Sequence, residues 1–105
     1  MNPIPVRLKE ARLNAGLSQK KLGIIVGIDA FSASARMNQY EKGKHVPDFL
    51  ILKRIAKVLS VPPAYFYTED DTLAELLLFY EKNNNEAKKQ ILQFSKNLSQ
   101  QNSFI

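Results

Sequence analysis

Few side chains in this 105-residue sequence are suited to covalent or acid–base chemistry. His45 is the only histidine and there is no cysteine. Disulfides, thiolate metal ligands and thiol catalysis are therefore excluded, and any metal site would rest on carboxylates alone. The remaining set of catalytic type is His45 with Ser18 or Ser32 and Asp48. Nucleophilic catalysis needs a nucleophile, a base in hydrogen-bonding reach and a third group that orients the base. No motif around these residues supports such a grouping, and no glycine-rich loop is available to cradle a phosphate. The expectation is a protein that is not an enzyme and carries neither metal nor cofactor.

Charge says more. The net charge is +5, and it is unevenly spread. Residues 1–59 carry eleven Lys/Arg against four Asp/Glu, a balance of +7, while residues 60–105 carry four against six, a balance of −2. A basic first half joined to a mildly acidic second half suggests a polyanion-binding module followed by a different element. An apolar fraction of 45% argues against general disorder. Met1-Asn2-Pro3-Ile4-Pro5 lacks the features of a signal peptide. Runs such as Leu76-Leu77-Leu78-Phe79-Tyr80 are too short to span a bilayer. A cytoplasmic location with no membrane partner is expected.

The elements that must position this charge read as helices throughout, without strand alternation. Pro5 suits a first helical turn, and a helix to about Ala15 would bury Leu8, Ala11, Arg12 and Ala15 on one face before Gly16 ends it. Ser18 caps a second helix to about Val26, with Leu22 and Ile25 inward and Gly23 explained by a close approach of another helix. Gly27 closes it. A third helical region lies within Ile28 to Glu41, its start open between caps at Asp29 and Ser32. After the turn Lys42–Pro47, Asp48 caps a fourth helix, Phe49 to Leu59, with Leu52, Ile55, Ala56 and Leu59 as its core stripe. Ala64 to Tyr67 forms a short helical turn, and two more helices cover about Thr72–Lys82 and Asn85–Leu98. Residues 100–105 are expected to fray.

Two short helices around a glycine turn, followed by a polar-faced helix, make a helix-turn-helix. Leu17-Ser18-Gln19-Lys20-Lys21-Leu22, Gly27, Gln39-Tyr40-Glu41-Lys42-Gly43-Lys44 and Pro47, continuing through Leu52–Leu59, closely resemble the Cro/C1-type (XRE-like, lambda-repressor-like) DNA-binding family. The resemblance spans roughly residues 7–67. It implies an all-α architecture: a five-helix lambda-repressor-like domain over 1–71, then two C-terminal amphipathic helices over 72–105. It also implies double-stranded DNA as partner and a bacterial or phage origin. One departure stands out. The fourteen residues from Gly27 to Glu41 exceed the common pattern by about four, roughly one helical turn. The extra residues, within Asp29-Ala30-Phe31-Ser32-Ala33-Ser34, either lengthen the turn or extend the third helix.

Aligned on Tyr40-Glu41, the resemblance puts Met37 and Tyr40 inward and makes Ser34, Ala35, Arg36 and Gln39 candidate base readers. Arginine fits guanine O6/N7 and glutamine fits adenine N6/N7; for Arg36 a phosphate contact is an equal alternative, and for Gln39 a solvated face. Ser18 and Gln19, at a helix N-terminus, and Lys42, Lys44 and His45, in the loop after the third helix, are candidate phosphate contacts. Lys20 and Lys21 are weaker ones. Arg12 and Glu41 match a structural ion pair of similar repressors. Tyr65, Phe66 and Tyr67 are read as packing against the first helix rather than as base-stacking groups.

The last two helices carry apolar stripes: Leu73, Leu76, Leu77 and Tyr80, then Ile91, Leu92, Phe94, Ser95 and Leu98. They either fold back or pair with a second copy. Dimerisation is favoured, because one short helix in one groove buries little surface and two half-sites share one association event. The resulting expectation is a transcriptional regulator, a repressor reading a pseudo-palindrome as a homodimer. The alternative is an antitoxin-like or anti-repressor protein whose C-terminal helices bind a small protein partner.

Overall fold

A computed structural model describes residues 2–102, and these form helices and turns without a strand. α1 (Ile4–Asn14) holds Pro5 in its first turn, and Gly16 turns the chain away from it at φ +70°. α2 (Gln19–Ile25) starts at Ser18, whose Oγ accepts a hydrogen bond from the Lys21 N–H at 3.0 Å. α3 (Ala33–Glu41) follows a long turn, and α4 (Phe49–Leu59) starts at Asp48, whose Oδ1 accepts from the Ile51 N–H at 2.9 Å. A 3-10 turn, Pro63–Tyr67, leads to α5 (Asp71–Lys82) and α6 (Asn85–Gln101), capped by Asp70 and Asn84. The architecture is all-α. Each cap satisfies N–H groups that the first turn of a helix leaves unpaired.

The largest fully buried side chains among the described residues are Leu8 of α1, Leu22 of α2, Met37 of α3, Leu52 and Ile55 of α4, and Phe66 of the 3-10 turn. Every element from α1 to the 3-10 turn thus contributes to one core, each such residue worth about 1.5–3 kcal/mol of transfer free energy. The α4 stripe is buried as its spacing predicts, and Tyr65 and Phe66 pack inward while Tyr67 stays half-exposed.

Two expectations are corrected and one open alternative is decided. The α1 stripe runs Ile4, Arg7, Leu8, Ala11, Arg12, and Ala15, beyond the helix, is exposed. In α2, Leu22, Gly23 and Val26 face inward, whereas Ile25 is 50% exposed. The contact of Gly23 with α3 sets the rotation of this seven-residue helix and turns position 25 to its edge. Of the two caps open for the third helix, Ser32 is the one used, and α3 starts at Ala33. The extra residues lengthen the turn: Gly27 stands at φ +100°, the Ile28 N–H donates to the Gly23 carbonyl at 2.9 Å, and Asp29 Oδ1 accepts from the Ser32 N–H at 3.0 Å. Asp29 therefore closes a turn rather than capping a helix.

The C-terminal helices are less embedded. α5 buries Ala74 and packs Leu78 against the core, whereas α6 buries no residue. α6 meets α5 through Lys88, whose Nζ lies 3.6 Å from Glu81 Oε1 and 5.2 Å from the centroid of the Tyr80 ring. The protein is elongated, 56 × 30 × 22 Å. No helix among the described residues is long and apolar enough to cross a membrane.

Candidate nucleic-acid interface

α3 is held from behind. Ala33, Met37 and Tyr40, at i, i+4 and i+7, face the core. Beside them α2 comes so close that a Cβ on Gly23 would lie 2.8 Å from Ala33 Cβ and 2.9 Å from the Ala33 carbonyl oxygen. Only a glycine lets the two backbones meet at that separation.

The end of α3 is fixed by charge. Arg12 Nε donates to Glu41 Oε2, Arg12 Nη2 to Glu41 Oε1 at 2.9 Å, and Arg12 Nη1 to the Leu17 carbonyl at 2.9 Å. The side chains are 9% and 3% exposed, so the pair is buried. The Arg12 guanidinium is held above its ordinary pKa, chiefly by the hydrogen bonds it donates to Glu41, which outweigh desolvation. Gln19 Nε2 donates to Glu41 Oε1 at 3.1 Å and to Asn38 Oδ1 at 3.2 Å. This brings the N-terminus of α2 alongside the middle of α3. Gln19 thus bridges two helices, a role its position in the sequence does not reveal.

With its inner face and C-terminus fixed, α3 leaves Ser34, Ala35, Arg36 and Asn38 exposed and Gln39 half-buried. Beyond it Gly43 adopts φ +74°, and the Gln39 carbonyl accepts from the Lys44 N–H at 2.9 Å. The loop that follows exposes Lys42, Lys44 and His45. Ser18 is exposed at the start of α2, with Lys20 and Lys21 also exposed on the same helix. The result is a helix whose solvent face carries short polar groups and one arginine, flanked on both sides by basic or N–H-presenting segments. Such a surface suits a groove edged by phosphates. Among the described residues no cluster of His, Asp or Glu could hold a metal, and no buried side-chain polar atom lacks a partner.

A second buried arginine was not singled out by the sequence. Arg7 Nε donates to the Thr68 carbonyl at 2.9 Å, and its Nη2 donates to the Glu69 carbonyl at 3.1 Å and to Asp71 Oδ1 at 2.9 Å. Its guanidinium lies 5.7 Å from the centroid of the Tyr65 ring. The signal was present: position 7 falls between Ile4 and Ala11 on the inward stripe. Arg7 ties α1 to the segment entering α5, and so joins the helix-turn-helix core to the C-terminal helices. Burial near Glu10 raises the Tyr65 hydroxyl above its usual pKa.

No family model matches the chain, and a search of curated proteins returned no match. Among solved structures the chain is similar to the crystal structure of transcriptional regulator BswR, with a TM-score of 0.86 and 49% identity over 91% of this chain and 95% of that chain. With that identity over nearly the full length of both, the protein belongs to the same family of transcriptional regulators as BswR.

Proposed function

We propose that the protein is a Cro/C1-type regulator that binds double-stranded DNA sequence-specifically by laying α3 in the major groove. The observation that carries this reading is the rigid mounting of α3, wedged against Gly23 and anchored by Arg12, Gln19 and Glu41, with its polar face left bare. Base readout needs a helix held to fixed geometry, because hydrogen bonds to base edges lose strength steeply with distance and angle. Ser34, Ala35, Arg36 and Gln39 are the base readers in this reading, and Ser18, Gln19, Lys42, Lys44 and His45 hold the backbone.

Selection of bound duplexes from a random library at physiological salt tests it. Enrichment of a pseudo-palindrome is expected. With the selected duplex, Arg36→Ala should cost about 1–3 kcal/mol and relax the preference at one position per half-site. Lys44→Ala should weaken all sequences alike and lower the salt slope by about 1. Weak, salt-sensitive binding without sequence preference would defeat the proposal.

The same reading assigns residues 1–71 to DNA and residues 72–105 to assembly as a homodimer. Leu73, Leu76 and Phe94 are among several large apolar residues of α5 and α6 that stay substantially exposed in the single chain. Leu77, Tyr80, Ile91 and Leu92 line an open groove between the two helices. Leu98 continues the α6 stripe; residues 103–105 lie outside the described residues. A surface this apolar favours a partner, and a second copy would set two α3 helices on half-sites about 34–36 Å or a multiple apart. A dimer covering a promoter represses by occupancy alone. Leu76→Asp should weaken the dimer about 100-fold in sedimentation, since it removes apolar area and buries a charge. A parent chain that sediments as a monomer, free and DNA-bound, would rule the dimer out. The uncovered stripe would then favour an antitoxin-like role with a small protein partner.

A further inference from the structure

Phe31 is 99% exposed, the most exposed of the large apolar residues among those described. It directly precedes Ser32, the N-cap of α3. An apolar residue at this position commonly packs against the fourth residue of the helix and fixes the angle at which the chain enters. Here that fourth residue is Arg36, which is exposed and offers no apolar partner. Phe31 therefore does nothing for its own fold. Its backbone is nonetheless fixed, because both the carbonyl and Oδ1 of Asp29 accept from the Ser32 N–H, at 3.1 and 3.0 Å. The lengthened turn holds a phenyl ring out into solvent at the leading end of α3, just ahead of Ser34, Ala35 and Arg36 in the chain.

The leading end of the recognition helix is the part that goes deepest into the major groove. There the only apolar feature of a base pair is the C5-methyl group of thymine, against which a phenyl ring packs well. We infer that Phe31 is a specificity-determining residue that reads a thymine methyl at the edge of each half-site. This rests on the DNA-binding reading above. The extra turn residues would then serve to add an aromatic reader, larger than the single methyl that Ala35 of α3 presents. Ala35 is the neighbouring competitor for the same methyl group.

The test replaces each thymine of the selected duplex in turn by deoxyuridine, which keeps base pairing and removes only the methyl. The parent chain should lose about fourfold in affinity at one thymine per half-site, the equivalent of one methyl-sized group left unburied. Phe31→Ala should bind the unmodified duplex about tenfold more weakly and should not respond to that replacement. Its thermal midpoint should match the parent, because Phe31 is uncovered in the folded chain. Several results overturn the inference. Unchanged affinity of Phe31→Ala for the duplex would remove Phe31 from the DNA contact. A variant that is weaker but still sensitive to the methyl would give the methyl to Ala35 and point to Phe31 as a wedge between base steps. A parent chain indifferent to every replacement, or a selected site lacking thymine, overturns it while leaving sequence-specific binding intact. A parent chain that selects no sequence at all overturns both.

Discussion

Glu41→Ala should destabilise the protein by about 3–5 kcal/mol, because it strands a buried guanidinium. Arg12 lies on the inward stripe of α1 beside Leu8 and Ala11, and two of its nitrogens are satisfied by Glu41. Without the carboxylate, a cation whose side chain is 9% exposed keeps a single protein acceptor, the Leu17 carbonyl. Its large desolvation cost is then uncompensated. For a chain of this size each kcal/mol lowers the midpoint by about 4–8 °C, so a fall of more than ten degrees is expected in a thermal melt. Loss of Glu41 also removes one of the two hydrogen bonds by which Gln19 links the N-terminus of α2 to α3, leaving only that to Asn38. DNA affinity should therefore fall even at temperatures where the variant stays folded. Glu41→Gln should be nearly as damaging, because its amide turns a donor toward the guanidinium. Exchanging both partners for apolar residues of similar volume should recover much of the stability without the DNA affinity. A Glu41→Gln variant with unchanged melting and unchanged binding would overturn this account of the pair.

Gly23→Ala should also destabilise, against what helix propensity alone demands. In an exposed helix the substitution gains about 1 kcal/mol. Here the new methyl would meet Ala33 Cβ at 2.8 Å, its carbonyl oxygen at 2.9 Å and its Cα at 3.1 Å. The obstacle is mostly backbone, which cannot rotate aside, so α2 and α3 must separate. Overpacking of this kind costs about 1–3 kcal/mol, and with a carbonyl in the way the upper end applies. The net loss should be about 1–2 kcal/mol. Because α3 moves, DNA binding should fall by more than the stability loss explains. Adding Ala33→Gly removes the nearest atom and should restore part of the loss, giving a coupling visible in a double-mutant cycle. A Gly23→Ala chain that melts at or above the parent would show that the two backbones are not in contact.

These two positions also mark how far the sequence could be read. Helix order, the caps at Ser18, Asp48 and the α4 stripe were legible because they depend on neighbours within one or two turns. The need of Arg12 for a partner was legible too, since a charge on an apolar stripe is costly alone. Gly23 announced a close approach, but not to which residue. Arg7 was missed because its acceptors are mainly the backbone carbonyls of Thr68 and Glu69, and a carbonyl leaves no trace in residue type. Ile25 was assigned inward by periodicity, yet in seven residues the 3.6-residue period does not fix rotation to better than one position. The candidate base readers on α3 came from family likeness more than from pattern.

By itself the sequence determined the all-α class, the basic first half, the helix-turn-helix and the absence of cysteine chemistry, all of which follow from local propensity, spacing and composition. Tertiary structure alone decided where α3 begins, because a turn and an extra helical turn have similar local sequences and differ in what Asp29 and Gly27 must reach. It also decided that Gln19 joins Glu41 to Asn38. Most of all, it decided that Phe31, an apolar residue expected to seek cover, stands in the open at the leading end of α3. Burial depends on which surfaces meet across the fold, and that information is spread over residues far apart in the chain.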